Sequence, residues 1–174
     1  MNFEYAHLIP ENFHPNSRVW IYQSSRLFFI SEALEIEEIL NSFVDSWKSH
    51  GAPVKGYANL LFGQFVVLIA DETTIQVGGC SADTSVHMIQ DIEKRFKVDM
   101  FNRQNLAFVI KDKIQTLPLA QLKYGFENGF LHAGAPYFNN LVATKHELLK
   151  NWITPVKDSW LSAKIPAEVG SVNK

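Results

Sequence analysis

Phe65-Val66-Val67-Leu68-Ile69-Ala70, closed by Asp71-Glu72-Thr73-Thr74, is the longest unbroken apolar run in the chain. A run with no polar face predicts a strand buried on both sides at the centre of a sheet. It is far too short to cross a bilayer as a helix. Asp71 to Thr74 is turn chemistry, so Ile75-Gln76-Val77-Gly78 is expected to return antiparallel to the central strand.

Upstream, Val19-Trp20-Ile21-Tyr22-Gln23 and Leu27-Phe28-Phe29-Ile30 are β-branched and aromatic runs that predict two strands or one broken strand. Ser31 then opens a helix as its cap, with Glu32 and Glu35 near the positive end of the dipole. Ala33, Ile36, Leu40, Phe43 and Trp47 recur at helical spacing, while Glu38, Asn41, Asp45 and Lys48 fall opposite. Lys48 and His50 suit a helix C-terminus, and Gly51 with Pro53 reads as its stop. Downstream, Val86, Ile89, Ile92 and Phe96 form a second stripe, with Asp83 as the expected cap. Leu106 to Ile110 is a further strand. Pro118 opens a helix that buries Leu119, Leu122 and Phe126, and Thr144 with Glu147 fits a capping box for a last helix ending near Trp152. Gly125 to Pro136, rich in glycine and aromatics, reads as a mobile loop or an ordinary connection, and the chain from about residue 162 as a loose tail. Hairpin-spaced strands interrupted by helices, with no repeating strand–helix alternation, predict an α+β fold: a mostly antiparallel sheet with helices packed on it around a single layered core. The expected organisation of the 174 residues is one domain.

Composition excludes several functions. Apolar residues make up 47% and charged residues 20%, so the chain can bury a core. A formal charge of −2, with acids and bases intermixed, provides no basic stripe for nucleic acid. The one cysteine cannot form an intramolecular disulfide, and the start Met1-Asn2-Phe3-Glu4-Tyr5 lacks the basic and apolar regions of a signal peptide. A reducing cytoplasm is the expected setting. No cofactor motif is read, and His7, His14, His132 and His146 share no ligand spacing, so no metal site is expected.

Five blocks together carry a resemblance: Arg18-Val19-Trp20-Ile21-Tyr22-Gln23, Trp47-Lys48-Ser49-His50-Gly51, Gly79-Cys80-Ser81-Ala82-Asp83-Thr84-Ser85, Phe138-Asn139-Asn140-Leu141-Val142 and Asp158-Ser159-Trp160. They resemble the blocks of a family of short bacterial proteins, common in Bacteroidetes, whose members carry the automatic label "ABC transporter ATPase". Ala82 stands where the family pattern has a larger aliphatic residue. The resemblance implies a shared fold and brings no catalytic residues with it. The label itself meets a chemical objection. Phe65 to Glu72 mimics a Walker B strand, and Gly51-Ala52-Pro53-Val54-Lys55-Gly56 copies the glycine spacing of a P-loop. A P-loop continues with Lys for the phosphates and Ser or Thr for Mg²⁺; here Tyr57 and Ala58 stand in those places, and Pro53 removes a main-chain donor.

Covalent chemistry would fall to Cys80, in the turn Gly79-Cys80-Ser81-Ala82-Asp83-Thr84 before a helix. A helix N-terminus favours a thiolate, but dipole assistance of ~0.3–1 kcal/mol is under one pKa unit, and Asp83 opposes it. A cationic partner is needed. His50 is the candidate, with Asp83 to orient it in a Cys–His–Asp arrangement. The main-chain donors of the same turn, with Ser81, Thr84 and Ser85, are candidates for holding an anionic ligand. Against both stands the ordinary role of a free cysteine as a small buried hydrophobe beneath a capped turn. His87 is expected to face solvent, and Trp20, Trp47, Trp152 and Trp160 to serve the core or a ligand pocket. The expected function is a binding or interaction domain for a protein or small-molecule partner, compatible with a homodimer. An aromatic content of 13% suits interfaces. The alternative is a thiol transferase or hydrolase using Cys80, His50 and Asp83.

Overall fold

The computed structural model describes residues 1–167. In chain order the elements are strand β1 (Arg18–Gln23), helix α1 (Ile30–Ser46), strands β2 (Lys48–Ser49), β3 (Ala52–Pro53), β4 (Lys55–Leu61) and β5 (Phe65–Asp71), helix α2 (Gly79–Phe96), strands β6 (Asn105–Ile110) and β7 (Lys113–Pro118), helix α3 (Leu122–Glu127), strand β8 (Pro136–Phe138), helix α4 (Lys145–Asn151) and strand β9 (Ile153–Pro155). All the sheets are antiparallel, with helices packed on them, which makes the fold α+β. The described chain divides into two compact units: Phe3–Asn102 with Asn140–Leu149, and Met1–Asn2 with Arg103–Asn139 and residues 150–167. Each holds an apolar cluster of its own.

In the first unit β5 is central, in the order β1-β5-β4, and every one of its residues is buried. Successive side chains point to opposite faces. Val66, Leu68 and Ala70 join Trp20, Tyr22, Ala58 and Leu60 under Ile36, Leu40 and Phe43 of α1 and Ile89, Ile92 and Phe96 of α2. Lys55 and Tyr57 project from the other face, where their side chains donate to the carbonyls of Asn12 and Leu8. The segment from Leu8 to Phe13 therefore lies along that second face, and its Ile9 and Phe13 are buried. Burial on both sides is why the run lacks alternation.

The strand partners differ from the expected ones. Ile75 to Gly78 does not pair with β5, because the Asp71 carboxylate accepts from Thr73 and the Glu72 carboxylate accepts the Val77 N–H, turning the chain toward α2. The antiparallel neighbour is instead β4, aligned from Lys55 opposite Asp71 to Leu61 opposite Phe65. Leu27 to Phe29 is not a strand, and α1 starts at Ile30, ahead of Ser31. The Glu32 carboxylate accepts the Phe29 N–H at 2.8 Å, supplying the cap from inside the first turn. Likewise α2 starts at Gly79, four residues before Asp83, which lies exposed in its second turn. Lys48 and His50 lie beyond α1, in the β2–β3 hairpin.

In the second unit the sheet order is β7-β6-β8-β9. Leu106, Phe108 and Tyr137 pack with Leu122, Phe126, Val156 and Leu161. A Cβ on Gly125 would come within 2.8 Å of Leu117 Cδ2, so the glycine lets α3 approach β7. Gly125 to Pro136, expected as a mobile loop, is packed: Leu131, Ala133 and Ala135 are buried, and the N–H groups of Phe130 and Leu131 donate to Gly125 O. The expected tail is ordered through a short 3₁₀ helix, Trp160–Lys164, and Ile165 packs on the cluster; its remainder, 168–174, lies outside the described residues.

Candidate functional site

Cys80 is the second residue of α2, and its side chain is exposed. His50 and Gly51 form the two-residue turn of the β2–β3 hairpin, with φ of 52° and 79°. Both values are left-handed, as a type I′ turn requires. The turn carries the His50 ring to Gly78, where a Cβ would lie 3.1 Å from Nε2. The imidazole thus reaches the residue just ahead of α2. Among the described residues, no hydrogen bond or ion pair links Cys80, His50 and Asp83.

The three hydroxyls near the cysteine all donate to main-chain carbonyls. Ser81 Oγ donates to Lys48 O at 2.6 Å, Thr84 Oγ1 to Cys80 O at 2.9 Å and Ser85 Oγ to Ala82 O at 2.6 Å. Ser81 and Ser85 are buried. Trp47 Nε1 donates to Ser81 O, and the Gly78 N–H donates to Ser49 Oγ. These bonds fasten the first turn of α2 to β2. They leave the thiol outside the network, open to reagents.

Gly56, which closes the P-loop glycine spacing, and Tyr57 and Ala58 after it lie within β4, which is followed by β5 and not by a helix. Asp71, at the place of the Walker B aspartate, is saturated. Burial alone would raise its carboxyl, but donation from Thr73 Oγ1, the His14 N–H, the Thr73 N–H and Lys55 Nζ outweighs burial and holds it well below the usual carboxylate range. Among the described residues no group of three His, Cys, Asp or Glu could hold a metal ion, and no helix is long and apolar enough to cross a membrane.

The feature that sequence reasoning missed is the contrast between the two edges of the sheet in the first unit. The outer edge of β1 is covered at its start: Val19 N–H donates to Ala143 O at 2.9 Å, Arg18 bridges Thr144, and Lys145 N–H donates to Ser17 O at 2.8 Å. The outer edge of β4 pairs with no strand among the described residues. Beside it runs a groove of about 400 Å³, walled by Glu37, Asn41 and Asp45 of α1 on one side and by Gly56 to Asn59 on the other. A Cβ on Gly56 would meet the Trp47 ring at 2.7 Å, so only glycine fits there without moving the tryptophan.

The helix wall has a definite charge. Residues 30–46 include Glu32, Glu35, Glu37, Glu38 and Asp45 and no Lys or Arg. Two of these acids are neutralised: Arg26 pairs with Glu32 at 2.9 Å, and Arg95 pairs with Glu35. The hydrogen bonds from Arg26 lower the Glu32 carboxyl below its ordinary range. Glu37 and Asp45 have no ion-pair partner among the described residues. At ~100° per residue, Ile30, Leu34, Glu37, Asn41 and Asp45 lie within about a quarter-turn of one another. Ile30 is 83% exposed and Leu34 59%, so the same flank begins apolar and continues acidic. Helical spacing does put Asn41 and Asp45 on the solvent side; the groove appears only once β4 is known to be a strand. Compared with known proteins, the chain matches no family model, no curated protein and no solved structure.

Proposed function

We propose that this chain is a binding domain that takes up an extended segment of a partner protein as a fourth strand on β4. The observation that supports this reading is the open edge of β4 beside the groove under α1. On such an edge, alternate N–H and C=O groups point outward and lack strand partners. An added strand satisfies them with hydrogen bonds worth roughly 0.5–1.5 kcal/mol each, and every second side chain of the guest enters the groove. Exposed Ile30 and Leu34 provide apolar area at one end of the same flank. A reducing cytoplasm suits the protein, since the exposed thiol of Cys80 stays unpaired there.

The test is selection of binding heptapeptides from a random library, followed by hydrogen exchange on the complex. Expected is slowed exchange at alternate amides between Gly56 and Leu61. N-methylation of one alternate set of peptide amides should abolish binding, and methylation of the other set should not. Selected peptides that protect amides elsewhere and leave β4 unchanged would refute the reading.

A second reading, covalent chemistry at Cys80, draws on the exposure of that thiol and on the His50 ring at Gly78. It requires the imidazole and Asp83 to reach the sulfur. Its test is alkylation by iodoacetamide near pH 7: a rate unchanged in His50→Ala and Asp83→Asn would eliminate it.

A further inference from the structure

We infer that the segment received by β4 carries two basic side chains four residues apart, one for Glu37 and one for Asp45. This inference rests on the strand-addition reading above. Glu37 and Asp45 stand eight positions apart on α1. At 1.5 Å per residue that is ~12 Å along the helix. In an extended chain at ~3.3 Å per residue, side chains four positions apart are ~13 Å from each other and, because the period is two, on the same side. The two repeats match. The wall contributed by β4, Gly56 to Asn59, spans about 10 Å at the same rise, so guest and host strands are in register over that length. Asn41, midway between the acids, has both a donor and an acceptor to offer the side chain between the two bases.

Charge decides the chemical class. Among the described residues neither acid has a cation of its own. The basic residue at the start of β4, Lys55, is committed to Asp71 at 3.2 Å and to Asn12 O at 2.7 Å. Among the described residues no Lys or Arg lines the groove. A second copy of this chain, laid antiparallel on β4, would bring its own α1 acids toward these, which disfavours self-pairing. Both acids are exposed, so each ion pair is modest, and two together should change affinity roughly three- to tenfold.

The probes are four acetylated, amidated heptapeptides: Thr-Lys-Val-Thr-Val-Lys-Thr, the same with Gln for both Lys, the same with Glu for both Lys, and Thr-Lys-Val-Thr-Lys-Val-Thr. Affinity is read by calorimetry, the site by hydrogen exchange, and self-association by sedimentation. Expected is tightest binding of the first peptide, with the Gln peptide several-fold weaker, the Glu peptide weaker still, and the peptide with Lys three apart losing most of the gain. Raising the salt should narrow these differences. The double variant Glu37→Lys, Asp45→Lys should invert the order of the Lys and Glu peptides while its helix content, by circular dichroism, stays unchanged. Equal affinity for the Lys and Gln peptides, with β4 amides protected by both, would overturn the charge assignment and leave strand addition standing. Peptides that leave the β4 amides untouched would overturn both. So would a dimer whose interface protects β4.

Discussion

The two edges of the sheet in the first unit start from the same problem and meet it differently. Each strand at an edge exposes a row of main-chain donors and acceptors that invites another chain. The β1 edge is closed at its start from within, by Ala143 and Thr144 just ahead of α4. The β4 edge has no strand partner among the described residues and lies beside an acidic helix flank. An edge left open by neglect would be exposed to any strand. This one is bordered by Glu37 and Asp45, which have no ion-pair partner among the described residues and which, on our proposal, favour a basic segment over a like copy. On the strand-addition proposal, closure of β1 is structural and openness of β4 is functional.

The strongest way to break the contrast is to remove the strand that both edges share. Leu68 is fully buried, and Leu68→Ala should cost ~2–5 kcal/mol in urea unfolding, loosening β1 and β4 alike. Asp71→Asn acts on the β4 side, where the carboxylate holds Lys55 and the His14 N–H. Loss of charged hydrogen bonds should cost about 2 kcal/mol near pH 7. The sign follows from the lowered carboxyl: its stabilisation is present above the ordinary aspartate value of ~4 and fades as pH falls toward the folded one, so wild type and variant should converge in acid. Curves that stay parallel down to pH 2 would show that Asp71 contributes no such linkage. Thr144→Ala acts on the opposite edge. Thr144 Oγ1 accepts the Glu147 N–H at 3.2 Å, and its loss should cost about 1 kcal/mol and speed exchange of the Val19 amide, leaving the β4 amides unaffected. Smallest of all, Cys80→Ser should shift stability by less than about 0.5 kcal/mol and leave peptide affinity unchanged, because the thiol lies outside both edges.

What could be read from the sequence tracks where side chains carry the signal. The β5 strand was legible because burial on both faces writes an unbroken apolar run. The α1 stripe was legible too, and Ile36, Leu40 and Phe43 are buried as its spacing predicts. Strand β4 was not: Lys-Gly-Tyr-Ala-Asn-Leu-Leu contains a glycine demanded by the Trp47 ring and an asparagine that disfavours strands, so tertiary packing overrides propensity. Ile75 to Val77 shows the reverse, strand-like composition drawn aside by the Glu72 carboxylate. Helix starts were misplaced at Ser31 and Asp83 because their caps come from elsewhere, the Glu32 carboxylate in one case and the anchoring of the first turn to β2 in the other. The Thr144–Glu147 box was half right: Thr144 Oγ1 accepts from Glu147, but the Glu147 carboxylate reaches back to the Ala143 N–H, one residue beyond the cap. Cys80 stood out in sequence as the lone thiol. Its exposure depends on how far the α2 start extends, which local sequence does not encode. The groove was invisible because it is a property of a helix and a strand together.

One further consequence comes from the stretch Leu8–Phe13, which lies over the second face of the sheet with its carbonyls held by Tyr57 and Lys55. That stretch behaves as a third layer of the sandwich without being a regular element. A protease that clipped it away would remove the buried Ile9 and Phe13 along with those two anchors, and the trimmed protein should clump through the apolar surface they leave even with both helices intact.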